Sequence, residues 1–103
     1  MSFEMGSLSA ALAAAVGEDA ALVEDLRTAF IESAERHIDL LSRARCDANW
    51  KLAAYRLHSL AASFGVTTFL LLAKEAEAAA PGDPKVVRRL RAALAAHATP
   101  DAQ

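Results

Sequence analysis

At 103 residues, the chain has the size of one domain with a single modest hydrophobic core. Hydrophobic residues make up 54% of it and aromatic residues only 6%, and much of the hydrophobic share is alanine, which favours helices. The net charge of −2 gives no electrostatic basis for binding nucleic acid or an anionic membrane. A lone cysteine, Cys46, excludes an internal disulfide, and the apolar run at residues 69–73 is too short to span a bilayer. We therefore expect a cytoplasmic domain.

The chain predicts four or five helices and no strand. A short first helix covers residues 8–16 and stops at Gly17. Glu18 and Asp19 open the longest helix, where their charge suits the positive end of the helix dipole, and Arg43 and Arg45 lie in its last turn. Apolar side chains recur along this helix with the helical period: Leu22, Leu26, Phe30, Ala34, Ile38 and Leu41.

The next predicted helix runs from Trp50 to Gly65. Asp47 or Asn49 is a plausible N-cap, and the glycine fits the left-handed position that closes helices. The helical period places Leu57 at the centre of the face that enters the core. The predicted core face consists of Trp50, Ala53, Leu57, Leu60, Ala61 and Phe64.

Two further helices complete the prediction. One runs to about residue 80, with Thr67 or Thr68 as its cap. After a turn at residues 81–84, Asp83 as N-cap and Pro84 as first helical residue begin a last helix that ends near residue 96. Short connections favour an all-α, up-down antiparallel four-helix bundle with a short extra N-terminal helix. We expect one domain, compact over about residues 8–97, with frayed tails.

His58 lies about 100° from Leu57 around the predicted helix, on a flank shared with Lys51, Tyr55 and Ala62. We therefore expect it to be half exposed. Small neighbours one turn away leave the imidazole accessible, and its unprotonated nitrogen is a nucleophile near neutral pH. Two interpretations stay open from the residues alone: a surface-edge histidine without a role, or a histidine presented for chemistry.

The octet HSLAASFG resembles the motif of the histidine phosphotransfer (HPt) domain of bacterial phosphorelays. That motif is a histidine, any residue, leucine or isoleucine, lysine, glycine and a small residue, followed by a glycine that ends the helix. Ala61 and Ala62 stand where lysine and glycine are usual. The resemblance extends over about residues 16–95, with a phenylalanine-led acidic stretch at residues 29–41. Four residues match the motif: His58, Leu60, Ser63 and Gly65.

The resemblance implies a phosphorelay intermediate without kinase activity. It implies that His58 accepts a phosphoryl group from, and returns it to, the aspartate of a response-regulator receiver domain. The Mg²⁺ for the transfer belongs to the receiver, so no cofactor is expected on this chain. The expected partners are receiver domains or a hybrid histidine kinase, with no nucleic acid or membrane and a monomeric state. The expected docking residues around His58 are Lys51, Tyr55, Ala61 and Ala62.

Three departures from the motif bear on the activity, one of them the replacement of the motif's glycine by Ala62, which adds one methyl group where a receiver would dock. Ala61 removes the lysine that neutralises the incoming phosphoryl group, and Lys51, about two turns earlier on the same flank, is the candidate substitute. The interval from His58 to Gly65 is about three residues shorter than usual. These departures leave two alternatives open, an adaptor that binds a receiver or kinase without transfer and a helical bundle with neither role. His37 is expected to pack at the edge of the apolar stripe, and no metal site is predicted.

Overall fold

The computed structural model describes residues 12, 14, 16, 17 and 19–98. Four helices follow one another: α1 (Ala20–Arg43), α2 (Asp47–Phe64), α3 (Thr67–Ala78) and α4 (Pro84–Ala98). The described residues contain no strand, which confirms the all-α class. Leu12, Ala14 and Val16 are also helical, but the rest of the predicted first helix and the tail at residues 99–103 lie outside the described residues. In the described part of the chain, no helix combines the length and apolar character needed to cross a membrane.

α1 begins at Ala20, directly after Asp19, whose side chain caps the helix. The backbone N–H of Leu22 donates a 3.0 Å hydrogen bond to Oδ1 of Asp19, one of the two acidic residues predicted to open the helix. At the other end, Ala44 adopts an extended conformation and its N–H bonds to the carbonyl of Leu41, so the helix stops at Arg43. The prediction that Arg45 lies in the last turn is therefore wrong. Most of the predicted apolar stripe is fully buried: Phe30, Ala34, Ile38 and Leu41.

α2 begins earlier than predicted. Cys46 occupies the N-cap position without a side-chain hydrogen bond, and its carbonyl accepts the first helical bond, from the N–H of Trp50 at 3.0 Å. Asp47 therefore lies inside the first turn, where its charge interacts favourably with the helix dipole, and neither it nor Asn49 is the cap. Gly65 closes the helix in the left-handed region with φ +72°, as its position in the sequence predicts.

The N-cap of α3 differs from the prediction, whereas that of α4 agrees with it. Val66, not Thr67 or Thr68, occupies the N-cap position of α3 and forms no side-chain hydrogen bond there. α3 ends at Ala78, about half a turn before the predicted end. For α4 the prediction is confirmed: the helix starts at Pro84, and Oδ1 of Asp83 accepts a 2.9 Å hydrogen bond from the backbone N–H of Lys85.

The helices pack in a closed ring, because α1 contacts α2, α2 contacts α3, α3 contacts α4 and α4 contacts α1. Phe30 of α1 lies in the core, with its ring centroid 5.1 Å from that of Phe64 and 5.6 Å from that of Phe69. The indole nitrogen of Trp50 donates a 2.7 Å hydrogen bond to the carbonyl oxygen of Ala76. Small side chains fill much of the helix contacts, which lets the backbones approach closely. The buried alanines are Ala34, Ala44, Ala53, Ala54, Ala61, Ala73 and Ala76.

The buried side of α2 is turned from the predicted one toward α3. Leu60 and Phe64 are only partly buried, whereas Ala54, which the prediction left out, is fully buried. The cause is that α2 packs more extensively against α3 than against α1, so its buried surface is centred past Leu57 on the α3 side. The residues of α2 in the core are Trp50, Ala53, Ala54, Leu57 and Ala61.

Candidate functional site

His58 on α2 meets Glu77 on α3. The Nδ1 atom of the imidazole lies 3.2 Å from Oε2 of the carboxylate, within hydrogen-bond distance. The side chain of His58 is 29% exposed and that of Glu77 is 31% exposed, so both stand where the core meets solvent. The imidazole is thus partly exposed, as its angular position on the helix predicts.

The carboxylate determines which imidazole nitrogen is free to react. An ionised carboxylate only accepts hydrogen bonds, so the hydrogen-bonded neutral ring carries its proton on Nδ1. Nε2 of His58 then holds the unshared electron pair, which is the nucleophilic site of a neutral imidazole. Glu77 therefore fixes both the tautomer and the orientation of His58.

The exposed surface beside this pair comprises Lys51, Tyr55, His58 and Ala62 on α2 with Glu77 on α3, and we call it the His58 face. Lys51, Tyr55 and Ala62 are all exposed, as expected of docking residues. Tyr55 is the most prominent aromatic side chain on it, 58% exposed, with its ring centroid 6.1 Å from that of His58. A tyrosine that presents both its ring and its hydroxyl is well suited to contact another protein.

Ala61 does not belong to this face. Its side chain is fully buried in the core, beside Leu57 and Ala54. Its burial agrees with its place in the predicted core face, so the prediction that Ala61 also forms part of the docking surface is wrong. A lysine at this position would point into the core instead of toward a phosphoryl group at His58.

Lys51 lies on the same side of α2 as His58 but is not among the partners that the structure gives this imidazole, which are Glu77 and Tyr55. Seven residues of helix separate the two Cα atoms by about 10 Å. Helical side chains also lean toward the N-terminus, so Lys51 leans away from His58 while His58 leans toward it. Lys51 is thus exposed on the side that a partner would cover, and its role toward an incoming phosphoryl group stays a prediction.

Glu77 is the site residue that the sequence did not reveal. It lies 19 positions after His58, and its contact depends on how α3 packs against α2. Helical periodicity assigns a residue to a face of its own helix but not to a residue of a neighbouring helix. The sequence contained one partial signal, the acidic pair Glu75 and Glu77 near the end of a helix whose middle, residues 69–73, is apolar.

The two other histidines lie elsewhere in the bundle. His37 is partly buried, and burial, followed by the charges of Arg56 and Arg36, lowers the pKa of its imidazole. His97 packs edge-on against Phe30 with the ring centroids 6.4 Å apart. Burial and the nearby Arg27 lower the pKa of His97, so both imidazoles favour the neutral form.

No family model matches the chain, and no curated protein or solved structure is significantly similar to it. Within the described residues, no group of three or more histidine, cysteine or acidic side chains is arranged to hold a metal ion. The geometry of the His58 face and the order of residues along α2 are therefore the features that point to a function.

Proposed function

We propose that this chain is a histidine phosphotransfer-type bundle that binds receiver domains of response regulators through the His58 face and carries a phosphoryl group on His58. The observation that carries the proposal is the pairing of a partly exposed imidazole with the carboxylate of Glu77. A nucleophile oriented by a second polar group is the general arrangement for covalent transfer chemistry. The resemblance of residues 58–65 to the phosphotransfer motif is the reason for proposing a receiver domain as the phosphoryl donor.

The proposed step is a displacement at phosphorus. The lone pair on Nε2 of His58 attacks the phosphoryl group on the receiver's aspartate, an N–P bond forms, and the bond between phosphorus and the aspartate oxygen breaks. The aspartate leaves as a carboxylate, and the Nδ1 proton stays in its hydrogen bond to Glu77, which stabilises the positive charge that develops on the ring. The Mg²⁺ that balances the phosphoryl charge is assigned to the receiver.

The proposal includes an up-and-down course of the four helices and a single compact domain with a short extra helix before α1. Three short connections, at residues 44–46, 65–66 and 79–83, support it, since short links favour antiparallel neighbours. In that arrangement the His58 face lies midway along one side of the bundle, where a flat partner surface can reach it. A monomeric, cytoplasmic protein fits this role.

Transfer is tested by incubating the purified chain with a panel of receiver domains that carry labelled phosphate, followed by separation of the labelled proteins. We expect acid-labile, alkali-stable label on the wild-type chain and none on His58→Gln, with helical content unchanged in circular dichroism. Chemical phosphorylation with potassium phosphoramidate, followed by ³¹P NMR, tests His58 without a receiver. Label retained on His58→Gln would overturn the assignment.

Glu77→Gln separates orientation from chemistry. The amide can still meet His58, but it can also donate to the ring, so the preferred tautomer and the stabilisation of the charged ring are lost. We expect transfer to slow by about ten- to a hundredfold, a typical effect of losing an orienting second group. Glu75→Gln is the matched control, because Glu75 forms its 2.7 Å ion pair with Arg89 on another side of α3. The rate for this control is expected to stay within a factor of two, roughly the variation between preparations.

The second candidate function is a receiver-binding adaptor that transfers no phosphate, and the register of α2 favours it. Gly65 closes the helix as the motif's glycine does, yet His58 lies about three residues too close to it. Moving the motif back by three residues restores the interval and puts Tyr55 in the histidine position, with Leu57 at the motif's leucine. That leucine is fully buried, whereas Leu60 is only partly buried, and the lysine position then falls on His58.

The two functions are distinguished by Tyr55→His and by the double variant Tyr55→His, His58→Lys. If the adaptor reading is right, wild type binds receivers without accepting label, and one or both variants gain labelling at position 55, which mass spectrometry of peptides locates. If the carrier reading is right, wild type is labelled on His58 and the double variant loses that site. Absence of receiver binding across the panel, measured by titration, would count against both functions.

A further inference from the structure

A groove runs between the end of α1 and the start of α2, and we call it the leucine groove. It encloses about 480 Å³, within the range of ligand-binding clefts. Two leucines that line it, Leu40 and Leu52, are 46% and 48% exposed. Its lining consists of Leu40, Arg43, Ala44, Asn49, Leu52, Ala53 and Arg56.

The leucine groove lies on a different side of the protein from the His58 face. Leu52 and His58 are six residues apart on α2, which places them about 120° apart around the helix axis. The groove is bounded by α1, whereas the His58 face is completed by Glu77 of α3. A ligand in the groove therefore leaves the imidazole uncovered, and the role of the groove does not depend on the proposed function.

The charges at the groove are predominantly positive. Arg43 is 65% exposed and is held by a 2.9 Å ion pair with Asp39 one turn earlier. Arg56 is exposed, and in the described part of the chain no carboxylate lies within ion-pair distance of it. The positive charge of Arg56 also reaches His37, whose pKa it helps to lower. The groove thus combines an apolar floor with one paired and one free guanidinium.

We propose that the leucine groove binds an acidic amphipathic helix of a partner protein. Leucine-type side chains of that helix would fill the space between Leu40 and Leu52, and flanking Asp or Glu residues would pair with Arg56 and Arg43. Charge complementarity is the argument for this partner, since guanidinium groups at the edge of an apolar cleft match carboxylates flanking an apolar stripe. Laying the apolar face of a helix in such a groove is a recurrent mode of peptide recognition.

The test is an NMR titration of the ¹⁵N-labelled full chain with a synthetic peptide of about 16 residues, long enough to form a helix on binding. The peptide carries leucines at helical spacing and glutamates beside them. We expect saturable shifts confined to the backbone amides around Leu40, Leu52 and Arg56. A peptide with lysines in place of the glutamates is expected to bind at least tenfold more weakly.

Variants connect the binding to the groove. Arg56→Glu and Leu52→Ser are both expected to raise the Kd of the acidic peptide at least tenfold. Both side chains are exposed, so the fold tolerates these changes, and circular dichroism checks this. Arg88→Glu, the same charge reversal at an exposed position of α4, is expected to leave the Kd unchanged. His58→Gln is also expected to bind the peptide normally, which separates this proposal from the transfer chemistry.

Four outcomes would overturn the proposal. Shifts located on another face would show that the peptide does not bind in the groove. Equal binding of the lysine peptide would show that the arginines of the groove do not select its charge. Concentration-dependent shifts at the groove without peptide, abolished by Leu52→Ser, would instead assign it to a second copy of the chain. Binding to vesicles containing an anionic phospholipid, with no binding of the acidic peptide, would assign the basic edge to a lipid surface.

Discussion

The indole nitrogen of Trp50 donates a 2.7 Å hydrogen bond to the carbonyl oxygen of Ala76, the residue immediately before Glu77. This bond joins α2 to α3 two turns before His58. It fixes how far one helix is shifted along the other, and therefore which residue of α3 lies opposite the imidazole. The fully buried indole also fills the largest single volume in the core.

Trp50→Phe removes this hydrogen bond and part of the buried volume. We expect it to lower the free energy of unfolding by about 2–4 kcal/mol, the combined effect of a lost hydrogen bond and a partly collapsed cavity. Urea denaturation followed by circular dichroism measures the change. Tyr55→Phe is the matched control because Tyr55 is exposed, and its effect is expected to stay within about 0.5 kcal/mol. Equal stability of the two variants would show that the bond does not hold α2 to α3.

Adjacent alanines on α2 should respond oppositely to lysine. Ala61→Lys puts a charged chain into a fully buried site without a partner, so we expect a loss of more than about 4 kcal/mol or failure to fold. Ala62→Lys places the same side chain on the exposed surface and is expected to change stability by less than about 0.5 kcal/mol. Thermal unfolding compares the two. A stable Ala61→Lys would contradict the burial of Ala61 in the core.

The free energy of unfolding is expected to decrease in mild acid because of two histidines. The pKa values of His37 and His97 are lowered in the folded protein, so the unfolded chain binds more protons as the pH falls below the ordinary histidine value of about 6.5. Stability is therefore expected to be complete above that pH and to decrease as the pH falls toward the lowered values. Urea midpoints measured from pH 7.5 to pH 5 test this. His37→Gln and His97→Gln should each flatten the profile, and an unchanged slope in both variants would contradict the assignment.

Polar residues at the starts of the helices are expected to contribute unequally to the free energy of unfolding. Asp19→Ala removes the side chain that accepts from the N–H of Leu22 and is expected to cost about 1 kcal/mol. Asp83→Ala should cost a similar amount, since Oδ1 accepts from the N–H of Lys85. Thr67→Ala should cost much less, because Thr67 forms no capping bond. Chemical denaturation of the three variants measures the differences, and a large loss for Thr67→Ala would mean that α3 is capped by its threonine after all.

Local signals explain most of what the sequence predicted correctly. Asp19, Pro84 and Gly65 mark helix ends through bonds or dihedral angles that involve only neighbouring residues, and all three ends agree with the structure. The angular position of His58 was predictable for the same reason, since it follows from helical periodicity alone.

Relationships between helices explain what the sequence did not predict. The burial of Ala54 depends on α3 covering its side of α2, and alanine gives no hydrophobic contrast that would reveal this in advance. The pairing of His58 with Glu77 depends on the relative shift of two helices. The start of α2 at Asp47 was missed because polar residues are compatible with both a cap and a first turn.

Both ends of α2 are fixed, by Trp50 near its start and by the left-handed Gly65 at its end. A single inserted or deleted residue between them would rotate the intervening side chains by about 100° and exchange core with surface. A reactive group on this helix can therefore change position only by about a whole turn. Tyr55 and His58 are one such step apart, and neither belongs to the buried core. An exposed side chain on this surface can thus be replaced by one a turn away through substitution, while the packing that supports the helix remains the same.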